Sequence, residues 1–381
     1  MKNSANNRER ADKALDPKQP HRNHRQSSQT LGKGIETRST QQGHKSTRIV
    51  GTPLDKIIER FSTVRVLVIG DFIADVFVYG KPFRLSREAP VVIIRHEGED
   101  VVPGGAGNAA NNLASLGIQV HAVGLLGNDK LGNDLLQQLR AKKVAVEGMV
   151  LSHVISTTSK TRIMAGDEHT SKQQVIRIDR INHESIPLRL QNNVYESFKA
   201  AAAAADAVIV SDYGYGVVSR RIISDLRTLA KKKVVVVDSR YQIVRFHGVT
   251  AVTPNTAEAE QATRIRIKEE TDAERAGRQL QRRLGLKAAL ITRGNRGMTL
   301  FEQTGGVHHI PIVGSDDVTD VTGAGDTVAA VFTASLACGA GFYDAARLAN
   351  YAASIVVMKS GTAVASRSEL SALVRKNHGK G

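Results

Sequence analysis

The sequence predicts an α/β protein: a mostly parallel sheet covered on both faces, with a second, small antiparallel sheet set against it. Three observations carry this. From Val64 onward, β-branched runs alternate with stretches of helical length and period, the signature of βαβ units. A second population of strands is shorter, more polar and broken by turn residues, as a sheet with one wet face requires. The apolar fraction is 41% over 381 residues, enough for a sizeable core.

Residues 1–50 are of another kind. They carry 11 Lys/Arg against 4 Asp/Glu and no Phe, Tyr or Trp, too little apolar surface to offset their ordering entropy. A disordered basic tail is expected there, with the folded domain at 51–381. A solvated extension, a start codon assigned too far upstream, and a polyanion-binding or targeting arm all fit it. No apolar run follows Met1, which argues against a signal peptide.

Val64 to Ile69, ending in Gly70-Asp71, opens the sheet as a buried strand. Further buried strands are predicted at 120–124, 207–211, 234–238, 249–253 and 288–292. Helices fall between them at about 107–117, 130–141, 188–205, 219–231, 256–263 and 270–284, and two small-residue-rich helices follow at 324–340 and 343–360. The polar strands, 76–79, 91–96, 157–165 and 173–178, arrive in two insertions at about 72–103 and 155–180 and suggest a lid. The most apolar stretch, Thr327 to Tyr343, is rich in Ala, Gly, Ser and Thr and suits a buried helix better than a membrane span. The single cysteine, Cys338, permits no intrachain disulfide, so a cytoplasmic location is expected. A net charge of +16 invites a nucleic-acid reading until it is divided. Outside the tail, 42 basic side chains face 33 acidic ones, a balance that fits phosphorylated substrates and argues against nucleic acid.

Val321-Thr322-Gly323-Ala324-Gly325-Asp326-Thr327 carries the most chemistry. Glycines at 323 and 325 let backbone amides converge where a helix begins. Free N–H groups and the positive end of a helix dipole bind anions, so a phosphoryl group in transfer can sit there. Asp326, in the first turn, can then accept a proton from an attacking hydroxyl. An ordinary helix with glycines at its start and an acidic first turn fits equally well. In Gly104-Gly105-Ala106-Gly107-Asn108 the glycines permit close approach of a ligand, and Asn108 either meets a polyol hydroxyl or caps a loop. Asp71 and Asp75 follow the first strand, at the carboxyl edge where open parallel sheets bind ligands, although a solvated turn also accounts for Asp75. No G-x-x-x-x-G-K-[ST] occurs, which excludes a P-loop NTPase. His308 and His309 lack a third partner at metal-site spacing and read as strand residues.

With these segments in hand, residues 64–360 resemble the PfkB/ribokinase family of carbohydrate kinases. The family's amino-terminal Gly-Gly signature is similar to 104–116, and its D-T-x-G-A-G-D signature is similar to Asp320 to Asp326. The resemblance implies a ribokinase-like three-layer α/β/α sandwich with a small antiparallel β lid, ATP as phosphoryl donor and Mg²⁺ as cofactor. It makes Asp326 the catalytic base, with Gly323, Ala324 and Gly325 as the anion hole. Asn255 and Glu258 resemble the element that organises Mg²⁺ through water, Glu258 being the metal's carboxylate; a hard cation that keeps its waters needs few protein ligands. Thr292, Arg293, Gly294 and Gly297 match the nucleotide-binding turn, and Asn350 falls where the family meets adenine. Asp75, Gly105 and Asn108 match sugar-binding positions. The same pattern has room for a monovalent cation near Asp320 and Thr322.

Within the family, the segments 83–91, 159–162 and 211–213 are most similar to the heptose-7-phosphate kinase part of ADP-heptose synthases. That implies phosphorylation of D-glycero-D-manno-heptose 7-phosphate at its anomeric hydroxyl, with Arg84, Lys160 and Arg162 as basic candidates for the sugar phosphate. A solvated basic face explains those three as well. Three departures bear on the substrate: Tyr215 stands where a lysine is expected, Asp238-Ser239-Arg240 replaces Asp-Pro-Lys, and Arg87 replaces a proline. No H-x-G-H nucleotidyltransferase motif occurs, so a separate nucleotidyltransferase is expected downstream. A homodimer through the lid is a further expectation. Other acceptors (a hexose, a hexose phosphate or a pentose) remain open, as does a non-catalytic sensor with a nucleic-acid-binding tail.

Overall fold

The computed structural model describes residues 53–166, 172–182, 185–314 and 319–377; the tail expected at 1–50 lies outside them. After a short helix, Leu54–Glu59 (α1), the strand Arg65–Gly70 (β1) is buried on both faces. Val66 and Val68 point to one helical layer, Leu67 and Ile69 to the other, which is why its sequence shows no alternation. Two long strands follow, Phe72–Leu85 (β2) and Val92–Gly105 (β3). Then come Ala106–Ser115 (α2), Gln119–Gly127 (β4), Lys130–Ala141 (α3) and Ala145–Ser152 (β5). Ser159–Ala165 (β6) and Gln173–Arg180 (β7) form the second insertion.

The second half continues with Leu188–Ala204 (α4), Ala207–Asp212 (β8), Arg220–Leu229 (α5), Val234–Ser239 (β9) and Ala251–Val252 (β10). Thr256–Thr263 (α6), Glu270–Leu284 (α7), Ala288–Thr292 (β11), Met298–Glu302 (β12) and Val307–Ile310 (β13) come next. Ala324–Ala337 (α8), Phe342–Val356 (α9) and Arg367–Asn377 (α10) close the described chain.

The main sheet has the order β13-β12-β11-β10-β9-β8-β1-β4-β5. It is parallel from β11 to β5, and β12 and β13 extend it antiparallel at one edge. Helices α4 to α7 pack on one face and α1 to α3 with α8 to α10 on the other, giving three layers. In α8 and α9, Ala330, Ala334, Ala345, Ala349 and Ala352 are fully buried; side chains this small let the two helices pack closely against the sheet. No helix among the described residues is long and apolar enough to cross a membrane.

The lid sheet has the order β3-β2-β6-β7. Each insertion is an antiparallel hairpin, as expected, but the two hairpins meet in a parallel pair, β2 with β6. The reason is topological. β2 and β6 follow β1 and β5, parallel strands of the main sheet, so both leave its carboxyl edge in the same direction.

Candidate active site

The carboxyl ends of β1, β8, β9, β10 and β11 converge, as open parallel sheets dictate, on a cavity of about 610 Å³. From the lid, Asp75, Lys160, Arg162, Arg177 and Asp179 line it; from the body, Tyr213, Asp238, Arg240, Asn255, Glu258 and Asp326 do so. The chain reaches this convergence through tight glycine contacts. At the end of β1, a Cβ on Gly70 would stand 1.9 Å from the Ser211 carbonyl oxygen. One on Gly104 would stand 2.1 Å from Asp75 Oδ2, so the Gly-Gly pair exists partly to seat that carboxylate.

Asp326 lies in the first turn of α8, buried. Its Oδ2 accepts a hydrogen bond from Asn108 Nδ2 at 2.8 Å, and the Tyr213 hydroxyl stands 3.5 Å from its Oδ1. Asn108 is aimed by a relay: Asn112 Nδ2 donates to Asn108 Oδ1 at 3.1 Å, and Thr327 Oγ1 donates to Asn112 Oδ1 at 2.9 Å. Burial raises the Asp326 carboxyl to about 7; the charge of Asp75 pushes the same way, while the Asn108 bond, Lys160 and Tyr213 pull back. Tyr213 is pushed well above the usual phenol range, first by the Asp326 charge and then by burial. Its backbone is pinned by the buried Asp71, whose Oδ2 accepts from the N–H groups of Tyr213 and Tyr215 at 2.7 and 3.2 Å. Burial and the nearby Asp212 lift the Asp71 carboxyl to about 7.

Arg162 Nη1 binds Asp75 Oδ1 at 2.6 Å, both side chains nearly buried. Lys160 is different. Its ammonium sits 4.6 Å from the Tyr213 ring centroid and forms no ion pair with any described carboxylate, and burial lowers its affinity for the proton. Asp238 and Glu258 share the far wall; burial raises both, and the Glu258 charge raises Asp238 further. Asn255 caps α6, its Oδ1 accepting from Glu258 N while Glu258 Oε2 accepts from Asn255 N, both at 2.9 Å. That box fixes the Glu258 carboxylate at the cavity rim. Among the described residues, no three His, Cys, Asp or Glu side chains cluster closely enough to grip a metal directly.

A second cavity of about 290 Å³ opens from the first and is mainly apolar. Gly294, Gly297, Met298, Val313, Ala324, Val328, Asn350 and Val357 line it, and Thr292, Val321 and Gly325 belong to both cavities. The Asn350 amide donates to Pro311 O at 2.7 Å. Gly325 is informative: a Cβ there would meet nothing within 4 Å, so packing does not demand the glycine, whereas a ligand passing between the cavities would. Asp320 lies beside this junction, its two carboxylate oxygens accepting from Thr322 N and Gly361 N.

Most of the residues singled out from the sequence therefore converge. Asp75, Gly105, Lys160, Arg162, Asn255, Glu258, Thr292, Thr322, Gly323, Gly325 and Asp326 line the larger cavity, Ala324, Gly294, Gly297 and Asn350 the smaller, and Asn108 stands behind Asp326. Two do not converge. Arg84 is exposed beyond two register irregularities near the tip of β2, and its guanidinium binds Leu85 O. Arg293 points away from the cavity, buried against Glu270 and Thr299. The sequence reading missed Asn112 and Arg177, and it quoted Tyr213, Asp238 and Arg240 in substrate-related segments without giving them a role. Of the two missed, Asn112 left a signal, since it lies one helical turn after Asn108 and so shares its face.

A buried carboxylate at a glycine-flanked helix start, under a lid lined with cations and beside an apolar slot, defines a phosphotransferase acting on a polar acceptor. The chain belongs to the pfkB family of carbohydrate kinases, whose model matches residues 64–369; it is an ATP-dependent sugar kinase. The bifunctional protein HldE of Geotalea uraniireducens is 39% identical over 328 residues, covering 85% of this chain and 66% of that protein. HldE of Geobacter sulfurreducens is 38% identical over 331 residues, 86% of this chain and 66% of its own length. The chain thus spans about two thirds of these curated relatives, which accord with the resemblance to the kinase part of ADP-heptose synthases. Arabidopsis thaliana ribokinase complexed with ribose and ATP aligns over 82% of this chain and 99% of its own, with a TM-score of 0.65 at 19% identity. Escherichia coli phosphofructokinase-2 aligns over 82% and 98%, with a TM-score of 0.66 at 16% identity. The ribokinase-like fold is as expected.

Proposed function

We propose that the acceptor is D-glycero-D-manno-heptose 7-phosphate, phosphorylated at its anomeric hydroxyl to the 1,7-bisphosphate. The observation that carries this is Lys160, a half-buried ammonium facing the cavity without a partner among the described carboxylates. Leaving a cation dehydrated and unpaired is costly unless an anion arrives with the substrate. Arg240 lines the same space and suits a phosphate better than Arg84, which is remote, or Arg162 and Arg177, which already hold Asp75 and Asp179.

In this reading the bond from the γ-phosphorus to the ADP oxygen breaks as the bond to the acceptor oxygen forms, and the hydroxyl proton passes to Asp326. A carboxyl held near 7 is matched to that task at neutral pH. Because the transition state is loose, positioning and charge stabilisation dominate; the N–H groups at the start of α8 face the transferring group, and the apolar slot takes the adenine. Asn255 and Glu258 would hold Mg²⁺ through its waters. The crowded charges of Asp238 and Glu258 fit a site that a cation neutralises, and bound Mg²⁺ supplies charge stabilisation to the phosphates. A monovalent cation would sit by Asp320 and Thr322. A second copy docking through the lid, where Val175, Ile176 and Ile178 are exposed, and a downstream nucleotidyltransferase are the partners this reading assigns. An ADP-release screen across free sugars, 6-phosphohexoses and 7-phosphoheptoses tests it: turnover should require the 7-phosphoheptose, and faster turnover of a free sugar would overturn it.

A further inference from the structure

We infer that Arg293, Glu270 and His309 form a clamp that fixes the 293–297 turn and so sets the affinity for the nucleotide. Arg293 follows β11 directly. Its N–H donates to Gly297 O at 2.8 Å and its carbonyl accepts from Arg296 N at 3.2 Å, so where its backbone goes, the turn goes. The other side of that turn, Gly294, Asn295 and Gly297, lines the apolar slot. The guanidinium points the opposite way, on a side chain only 3% exposed. Its Nη1 reaches both carboxylate oxygens of Glu270 at 2.5 Å and Thr299 Oγ1 at 3.3 Å, while Nε and Nη2 have no hydrogen-bond partner among the described residues.

Glu270 is the first residue of α7, and the Arg293 hydrogen bond is the main cause of its lowered carboxyl. His309 on β13 grips the same carboxylate from outside, Nδ1 standing 2.6 Å from Oε1, with Glu274 3.7 Å from its Nε2. A half-satisfied buried guanidinium depends heavily on its one counter-charge, and removing that partner leaves an uncompensated buried cation. Such a cation moves toward water, and its backbone carries the slot wall with it. The acceptor side, built on β2, β6, α2 and Arg240, shares no residue with the clamp, so the effect should divide between the two substrates. Arg293 is therefore a positioning residue.

The inference rests on the slot being the nucleotide site, which the test checks separately. Steady-state kinetics on full-length Glu270→Gln and Arg293→Met should show KM for ATP raised about tenfold, with kcat and the acceptor KM within about twofold. His309→Gln, at a half-exposed position, should raise it about threefold and keeps the test open if Arg293→Met does not fold. An unchanged KM for ATP in Glu270→Gln overturns the clamp, as does a parallel loss in all three parameters with a lowered Tm. Slot-filling Ala353→Leu should raise KM for ATP; if it does not, the nucleotide assignment of the slot fails instead.

Discussion

Replacing Asp326 by asparagine separates the two consequences of burying the carboxylate proposed as the base. The wild-type carboxyl titrates at about 7 instead of near 3.8. Below pH ~4 it is protonated in folded and unfolded chains alike, and its burial is harmless. As pH rises toward 7 the unfolded chain ionises first, so this contribution to stability declines; above 7 the folded chain must hold a dehydrated charge. At about 1.4 kcal/mol per pH unit the full opposition to folding is about 4 kcal/mol, which relaxation and water entry reduce to about 1–3 kcal/mol. The amide oxygen of Asp326→Asn still accepts the Asn108 bond and carries no charge. The variant should therefore match wild type near pH 4, gain stability with rising pH, and level off above pH 7, several degrees ahead in Tm. Its kcat should fall about 10²–10⁴-fold with KM for ATP little changed. Thermal melts from pH 4 to 8 and ADP-release kinetics measure both halves. A stability difference that is flat with pH would show that the carboxyl is not dehydrated, and near-normal turnover would remove it as the base.

Lys160→Met should raise KM for a phosphorylated acceptor about 10–100-fold, the worth of a hydrogen-bonded charge, and leave KM for ATP unchanged; equal loss on both would contradict its role. Gly325→Ala should leave Tm unchanged or slightly raised, by up to about 1 kcal/mol, because the new Cβ meets open space, yet lower kcat/KM for ATP more than about tenfold. Retained activity there would mean nothing passes between the cavities at that point. Tyr213→Phe removes a contact that holds the Asp326 carboxyl down, so the acid limb of the kcat/KM profile should move to higher pH; a shift to lower pH would contradict that geometry.

The fold was legible where a local rule decides it. β1 and β8 are β-branched runs with both faces buried, and α3, α6 and α7 begin at capping residues, Asp129, Asn255 and Glu269. The elements that escaped obey tertiary rules instead. β5 carries Glu147 and Gly148 in its middle and is held as an edge strand by β4 alone. β12 is fixed by its antiparallel register against β11, and α10 buries only Leu370 and Val374, too few to mark a helical face in sequence.

The site divides along the same line. Glycines and Asp326 were readable because conformational necessity confines them to one short segment. In the proposed reading, recognition of the acceptor draws on separate segments: Lys160 on β6 and Arg240 after β9. Whether a basic residue serves the cavity or the solvent is decided by the pleat and by prior partners, neither of which has a local trace. Arg162 faces inward, yet Asp75 occupies it. Arg84, in a segment that resembles a substrate motif, is carried past two irregularities of β2 to the lid tip. Arg293 sits in the nucleotide turn and still turns its charge into the body. Lys160, Arg240 and Arg84 form no ion pair with a described carboxylate, and Lys160 is the most buried of the three. A cation left so depends on what enters the cavity, and the proposed specificity for a phosphorylated acceptor rests on that dependence more directly than on the number of basic side chains nearby.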